Sequence, residues 1–378
     1  MIYLDNAATT FYKPQEVKNA VADALTFYSA NPGRSGHDLS VKTAEKVFEA
    51  RERINDFFNG YGGEYVSFTS NCTQALNTAI KGILKKGDHV VVSTFEHNSV
   101  LRPLYKLKEK GMVDYSVFQV FEDEEKTLKS FRNAFRNNTK LCVVTCVSNV
   151  FGNILPIEKL SRIAHMNNAL FFVDGAQGAG VIPIDLKNQK IDCLCIPGHK
   201  GLYGPTGIGA IVHRGMIFDT LIEGGTGTQS FLQNQPVSYP ERLESGTLNV
   251  GGIMGMHAGV EWINNYGLDN VFKEETLLTK ELFCGLKSIK NVKLYAEEYN
   301  EKKYAPLLSF NIKGLHSEQV AMLLNQDGIA VRGGFHCAPL AHSFMGTKQS
   351  GAVRISPSIH NTKKEINILL NLVEKIAI

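Results

Sequence analysis

Between residues 60 and 215, short apolar runs alternate with stretches of helical spacing, and this alternation limits the possible architectures more than any other property of the chain. Val66-Ser-Phe-Thr69, His89 to Ser93, Leu141 to Ser148 and Leu170 to Val173 read as strands, with helical patterns between them, notably Pro156 to Asn167. Upstream, Val41, Ala44, Val47, Ile54 and Phe57 recur at helical spacing between His37 and about Asn59. Thr73 opens a further helix through Ala79 and Ile83. Such a succession predicts an α/β unit whose sheet is mostly parallel and covered by helices on both faces. Sheets of this kind place their chemistry at the carboxyl ends of the strands. After Val250 a helix to about Asn264 leads towards a second unit, with a strand at Leu307 to Ile312, a helix from Ser317 to Asn325 and a further run Ile329-Ala-Val-Arg332. The last helix starts at a capping box, Thr362-Lys-Lys-Glu365. The expected organisation is a large domain over 15–255 and a smaller α+β domain over 256–378 that also takes in 1–14.

Two of these runs end in reactive side chains. Leu170-Phe-Phe-Val-Asp174 ends in a carboxylate, and Ile191-Asp-Cys-Leu-Cys-Ile-Pro-Gly-His-Lys200 carries a lysine into a turn with glycine at 201, 204, 207 and 209. A desolvated lysine has a lowered pKa, and its neutral amine forms Schiff bases. An aspartate at one strand tip and a lysine at a later one meet the requirements of pyridoxal 5'-phosphate (PLP): the lysine takes the aldehyde, and the carboxylate keeps the pyridine nitrogen protonated. Ser70-Asn71-Cys72-Thr73-Gln74 follows a strand and opens a helix, where backbone amides and the Thr73 hydroxyl can cradle a phosphate; a plain N-cap role for Thr73 is the simpler alternative.

Tyr3-Leu-Asp-Asn-Ala-Ala-Thr-Thr10, Val173-Asp-Gly-Ala-Gln-Gly178 and Gly198-His-Lys-Gly-Leu-Tyr-Gly-Pro-Thr-Gly207 resemble the class V aminotransferases, and Arg332-Gly-Gly-Phe-His-Cys337 narrows the resemblance to the cysteine desulfurases. The likeness runs from residue 3 to about 365 with its motifs in the family's order. It implies the type I PLP fold, similar to aspartate aminotransferase. It further implies that Cys72, Thr73, His97, Asn149, Asp174, Gln177, His199 and Lys200 hold PLP, with His97 stacked on its ring and with Asn149 and Gln177 on the ring hydroxyl or the substrate carboxylate, Asn149 counting as a substrate contact too. Thr247, in Glu244-Ser-Gly-Thr247, resembles a loop that reaches a neighbouring subunit's phosphate, which implies a homodimer. Pro197 stands where relatives often carry serine, so that position is not transferred. The Arg-x-Gly-x-His-Cys pattern resembles the second, Suf-type group of desulfurases, with Phe335 in place of a common histidine.

Arg332 and Arg354 flank Cys337, five residues before and seventeen after. A guanidinium fork matches an amino-acid carboxylate, and the resemblance favours Arg354 for it. A loop thiol beside His336 and two arginines is set to ionise. The expected catalytic set is Lys200, Cys337, His97 and Asp174. L-cysteine would give L-alanine and a persulfide on Cys337, which an acceptor protein or small thiol then removes. A selenocysteine lyase or another class V aminotransferase or lyase is the alternative, and a non-catalytic partner protein with the same fold is a further one. The acceptor and the destination of the sulfur stay open.

Composition fits these expectations. Forty Lys and Arg against 37 Asp and Glu leave +3, which gives no bulk charge for a nucleic-acid or acidic-membrane partner. No run of eighteen apolar residues spans a membrane, and Met-Ile-Tyr-Leu-Asp-Asn lacks signal-peptide features, so a cytoplasmic location is expected. The cysteines at 72, 142, 146, 193, 195, 284 and 337 show no CxxC spacing. Several lie in apolar runs and read as core residues, and no metal site is expected.

Overall fold

The structure is a computed structural model that describes residues 1–33 and 36–378. Its strands are β1 (Ile2–Tyr3), β2 (Val66–Thr69), β3 (Asp88–Ser93), β4 (Val113–Phe118), β5 (Thr139–Thr145), β6 (Leu170–Asp174), β7 (Cys193–Pro197), β8 (Gly209–His213), β9 (Val292–Leu294), β10 (Leu308–Ile312), β11 (Ile329–Ala330) and β12 (Val353–Ile355). Seven of them form the main sheet in the order β2-β8-β7-β6-β5-β3-β4. All neighbours in it run parallel except at β8, which is antiparallel to both β2 and β7. The exception has a simple cause. Only residues 198–208 separate β7 from β8, too few for the crossover that parallel pairing needs.

Period-two alternation divides the strand residues between two cores. Val91, Cys142, Val144, Phe171, Val173, Leu194 and Ile196 face one side of the sheet, while Val90, Val92, Leu141, Val143, Phe172, Cys193 and Cys195 face the other. Helix Asp38–Phe57 contributes Val47, Ala50 and Ile54 to the first core. Helix Cys72–Ile83 contributes Ala75, Leu76, Ala79 and Ile80 to the second. Each of these residues would otherwise expose apolar surface worth about 25 cal/mol per Å².

A third core gathers Leu4, the helices Leu268–Ser288, Ser317–Gln326 and Lys363–Ile376, and the antiparallel sheet β12-β10-β9. β1 pairs in parallel with β11, so the amino-terminal strand lies with these carboxyl-terminal elements. The capping box at Thr362 and Glu365 is formed in both directions. The run at 329–332 is shorter as a strand than its sequence suggests: β11 stops at Ala330, and Arg332 instead bridges Arg354 through paired backbone hydrogen bonds.

Candidate active site

The carboxyl ends of β3, β5, β6 and β7 converge, and each delivers one part of the site. Asp174 ends β6 and is buried; its Oδ1 accepts from the Ala176 amide at 2.9 Å. Lys200 follows β7 by three residues. Its turn is closed by Tyr203 N donating to Lys200 O and Gly204 N donating to Gly198 O, both at 2.8 Å. Gly201 is required here, because a Cβ on it would stand 2.4 Å from the carbonyl oxygen of Ala179. Part of Lys200 opens to the cleft, yet its amine lies deep enough that burial lowers its pKa, with Arg354 adding to the effect and Asp174 opposing it.

The helix that starts at Cys72 is capped by Asn71, whose Oδ1 accepts from Gln74 N at 2.9 Å. Thr73 is therefore not the N-cap. Its hydroxyl is free to meet Ser99 Oγ at 2.9 Å, and that serine lies 2.7 Å from His97 Nδ1. The Cys72 side chain also departs from a place in the phosphate turn. It points inward, 3.6 Å from Asp174 Oδ1, where burial pushes its thiol pKa up. The amides of Cys72 and Thr73 have no acceptor among the described residues, which leaves a helix start able to receive an anion. Only glycine fits at 209 beside this turn, since a Cβ there would sit 2.8 Å from the carbonyl carbon of Asn71.

His97 caps the helix Asn98–Glu109 by accepting from Ser99 N at 3.0 Å on Nδ1. That bond puts the proton of the neutral ring on Nε2. Burial lowers its pKa, which favours this neutral form. His199 is neutral as well, its pKa brought down to about 4 by burial and by Lys200 and Lys13, and its buried Nδ1 lacks a partner. Gln177 donates from Nε2 to Ala7 O at 3.0 Å and so ties the amino-terminal segment to the strand tips. Asn149 donates from Nδ2 to His336 O at 2.7 Å, and its Oδ1 is buried without a partner.

Cys337 is exposed on a loop of unusual backbone: Gly334, His336 and Cys337 have φ of 109°, 49° and 56°. Side chains in the left-handed region cost about 1–3 kcal/mol each unless their surroundings hold them. Here the carbonyl of His336 takes the Asn149 amide, and the carbonyl of Cys337 takes Asn98 N at 2.7 Å. That second donor is one of the amides a helix start leaves free.

The charges around this loop differ from the sequence expectation. His336 turns into the interior, stacks on His342 and donates through Nε2–H to Arg332 O at 3.2 Å; burial brings its pKa to about 2, so it supplies no positive charge beside Cys337. Arg354 is 1% exposed and already committed, with Nη2 on Asp5 Oδ1 at 2.7 Å and Nη1 on Asn149 O at 2.8 Å; only its Nε lacks a partner. Arg332 is exposed and has no side-chain partner among the described residues. Thr247 is exposed, and its side chain has no hydrogen-bond partner among the described residues.

A family model described as Aminotransferase class-V matches residues 2–369. The chain belongs to the class-V aminotransferase family. Among the relatives of this class-V aminotransferase, a probable cysteine desulfurase of Methanothermobacter thermautotrophicus is 34% identical over all of the chain and 94% of its own length. One of Pyrococcus abyssi is likewise 34% identical, with the same coverage. The solved apo structure of a cysteine desulfurase from Thermococcus onnurineus NA1 superposes with a TM-score of 0.90 at 34% identity, covering 100% of this chain and 94% of the other.

Three residues of this class-V aminotransferase site escaped the sequence reading. Asp5 and Ser99 are the partners just described, and Lys13 donates to His199 O at 3.1 Å. Asp5 and Lys13 lie in or beside the amino-terminal motif, but nothing in a linear sequence links them to positions 354 and 199.

Proposed function

We propose that the chain is a PLP-dependent cysteine desulfurase that turns L-cysteine into L-alanine and leaves a persulfide on Cys337. The observation that carries the reading is an exposed thiol, Cys337, on a loop pinned by the Asn98 amide and by Asn149, whose carbonyl also takes Arg354, the guanidinium that helps to lower the pKa of Lys200. The relatives' names point the same way.

The residues present fit PLP. Free amides at Cys72 and Thr73 with the unpartnered His199 ring suit a phosphate, Asp174 suits a pyridine nitrogen, and Lys200 suits the aldehyde. Bound there, PLP would supply an electron sink for the pair left at Cα of the amino acid. Lys200, its pKa lowered, can take the Cα proton as a neutral amine. Arg332 and the spare Nε of Arg354 would receive the substrate carboxylate. Cys337 Sγ then attacks the substrate sulfur. The S–S bond forms as the Cβ–S bond breaks, the bonding pair stays with the carbon skeleton, and one proton at Cβ with return of the Cα proton completes L-alanine. His97 precedes the Asn98 amide that holds the Cys337 carbonyl, and its lowered pKa leaves the ring neutral beside this loop.

The sulfur left on Cys337 needs an acceptor protein or small thiol, and the exposure of this loop gives either one access. The reading includes a homodimer, because Thr247 is exposed close to Glu244, which the buried ion pair with Arg51 anchors, and so is open to a second subunit. After treatment with L-cysteine, the peptide bearing Cys337 should gain the mass of one sulfur atom. Of the other cysteines only Cys284 is exposed, and it should gain none. Cys337→Ser should release almost no sulfur; full desulfuration by this variant would replace the reading with a lyase that needs no thiol.

A further inference from the structure

One carbonyl in the fold gathers an exceptional set of donors. The oxygen of His199, in the peptide that joins it to Lys200, accepts from Thr10 N, Thr9 Oγ1, Thr10 Oγ1 and Lys13 Nζ, all at 3.1 Å. Thr10 Oγ1 also reaches Lys200 O at 3.3 Å. A carbonyl oxygen has two lone pairs, so four donors saturate it and share them. All four come from residues 9–13, some 190 positions earlier in the chain.

Lys13 is the unusual member. Among the described residues no carboxylate pairs with it, and burial alone brings its pKa down to about 8. A desolvated cation without an acidic partner is costly, and its contacts are the His199 carbonyl and the Thr10 hydroxyl. The opposite side of the same turn is fixed by the close approach of Gly180 and Gly201, where a Cβ on Gly180 would meet Gly201 O at 2.3 Å. The His199–Lys200 peptide is thus held from two independent parts of the chain.

We propose that Lys13 is a positioning residue: with Thr9 and Thr10 it clamps the peptide preceding Lys200 and so sets the direction in which the Lys200 amine and the His199 ring enter the cleft. The part that concerns catalysis rests on the reading of Lys200 as the cofactor lysine; the clamp itself does not.

The test uses the full chain with Lys13→Met, which keeps length and loses the donor, and Lys13→Arg, which keeps a cationic donor. Hydrogen exchange followed by mass spectrometry needs neither cofactor nor substrate. Exchange across 198–204 should rise about tenfold in Lys13→Met, the loss expected for one charge-assisted hydrogen bond, and return towards the parent in Lys13→Arg. With PLP loaded, Lys13→Met should change the visible circular dichroism of the bound cofactor. It should also lower kcat for L-cysteine about tenfold with KM changed less than about twofold, and Lys13→Arg should restore both. Unchanged exchange overturns the clamp whatever the enzyme's substrate proves to be. Faster exchange with unchanged dichroism and kcat overturns the positioning role. A parent that binds no PLP or spares L-cysteine defeats the functional reading, while the exchange arm still decides the clamp. Should Lys13→Met fail to fold, Thr9→Val removes a single donor and should move the same signals by less.

Discussion

The proposed reading assigns Lys200 and Cys337 to one reaction, yet the fold handles them in opposite ways. The lysine sits on a saturated turn at the tip of a central strand, where burial and nearby arginines push its amine towards neutrality. The cysteine sits at the surface on a backbone held in left-handed conformations by two hydrogen bonds to its carbonyls. On the proposed reading, the first region would draw its reactivity from desolvation and the second from presentation. The contrast suits two different tasks. A base that moves a proton within the cleft gains from losing water, whereas a thiol that must hand sulfur to another molecule has to stay within reach of it.

The largest expected effect tests the buried side. Lys200→Ala should lower L-alanine release by on the order of 10²–10⁴-fold with far-ultraviolet circular dichroism unchanged. Retention of a tenth of the activity would place the base elsewhere and end the contrast.

The two arginines sharpen the comparison next, since one belongs to each region. Arg354→Ala leaves Asp5 without its partner in a nearly closed site and should cost about 3–5 kcal/mol in denaturant unfolding. Arg332→Ala removes an exposed, unpartnered guanidinium. It should leave stability within about 0.5 kcal/mol and raise KM for L-cysteine by the loss of a charge-assisted contact, about 1.5–3 kcal/mol. Equal stability losses in the two variants would show that the regions are not distinct.

Much of this contrast could be read from the chain alone. The strand tips that carry Asp174 and Lys200 follow from apolar runs of strand length, and Cys337 stood out because it follows His336 in a glycine-containing segment and not an apolar run. What stayed hidden was pairing. The sequence placed Arg354 near a substrate carboxylate but could not reveal that Asp5 already holds it, and His336 looked like a charged neighbour of Cys337 until packing against His342 turned it inward. Thr73 and Asn71 are both good caps, and only the helix boundary decides between them. β8 runs against the parallel alternation because a short connection overrules it.

The smallest effect concerns Glu96, buried beside His97 between the tips of β3 and β5. Its Oε1 accepts from Ser93 Oγ and from Thr145 N, its Oε2 is unpartnered, and burial raises its pKa to about 8. The folded chain therefore keeps a proton that the unfolded chain releases above about 4.5. Stability from this group is complete below that pH and falls as pH rises through about 8. Glu96→Gln should flatten the decline between pH 5 and 8 by on the order of 1–2 kcal/mol, read as the difference in unfolding free energy at the two pH values. An identical pH dependence in both proteins would show that desolvation does not set the state of this carboxyl.

The Asp5–Arg354 contact joins positions 349 residues apart. Synthesis proceeds from the amino end at roughly 5–20 residues per second, so Asp5 exists for roughly 20–70 s before its partner is made. For most of that interval β1 also lacks β11, and Ser356, which receives the Ala7 amide, has yet to appear. The main sheet can form while the ribosome is still working, but the segment around residues 5–7 is closed only by residues 354–356, so a chain truncated shortly before residue 354 would keep its lysine turn and lose the ion pair between Asp5 and Arg354.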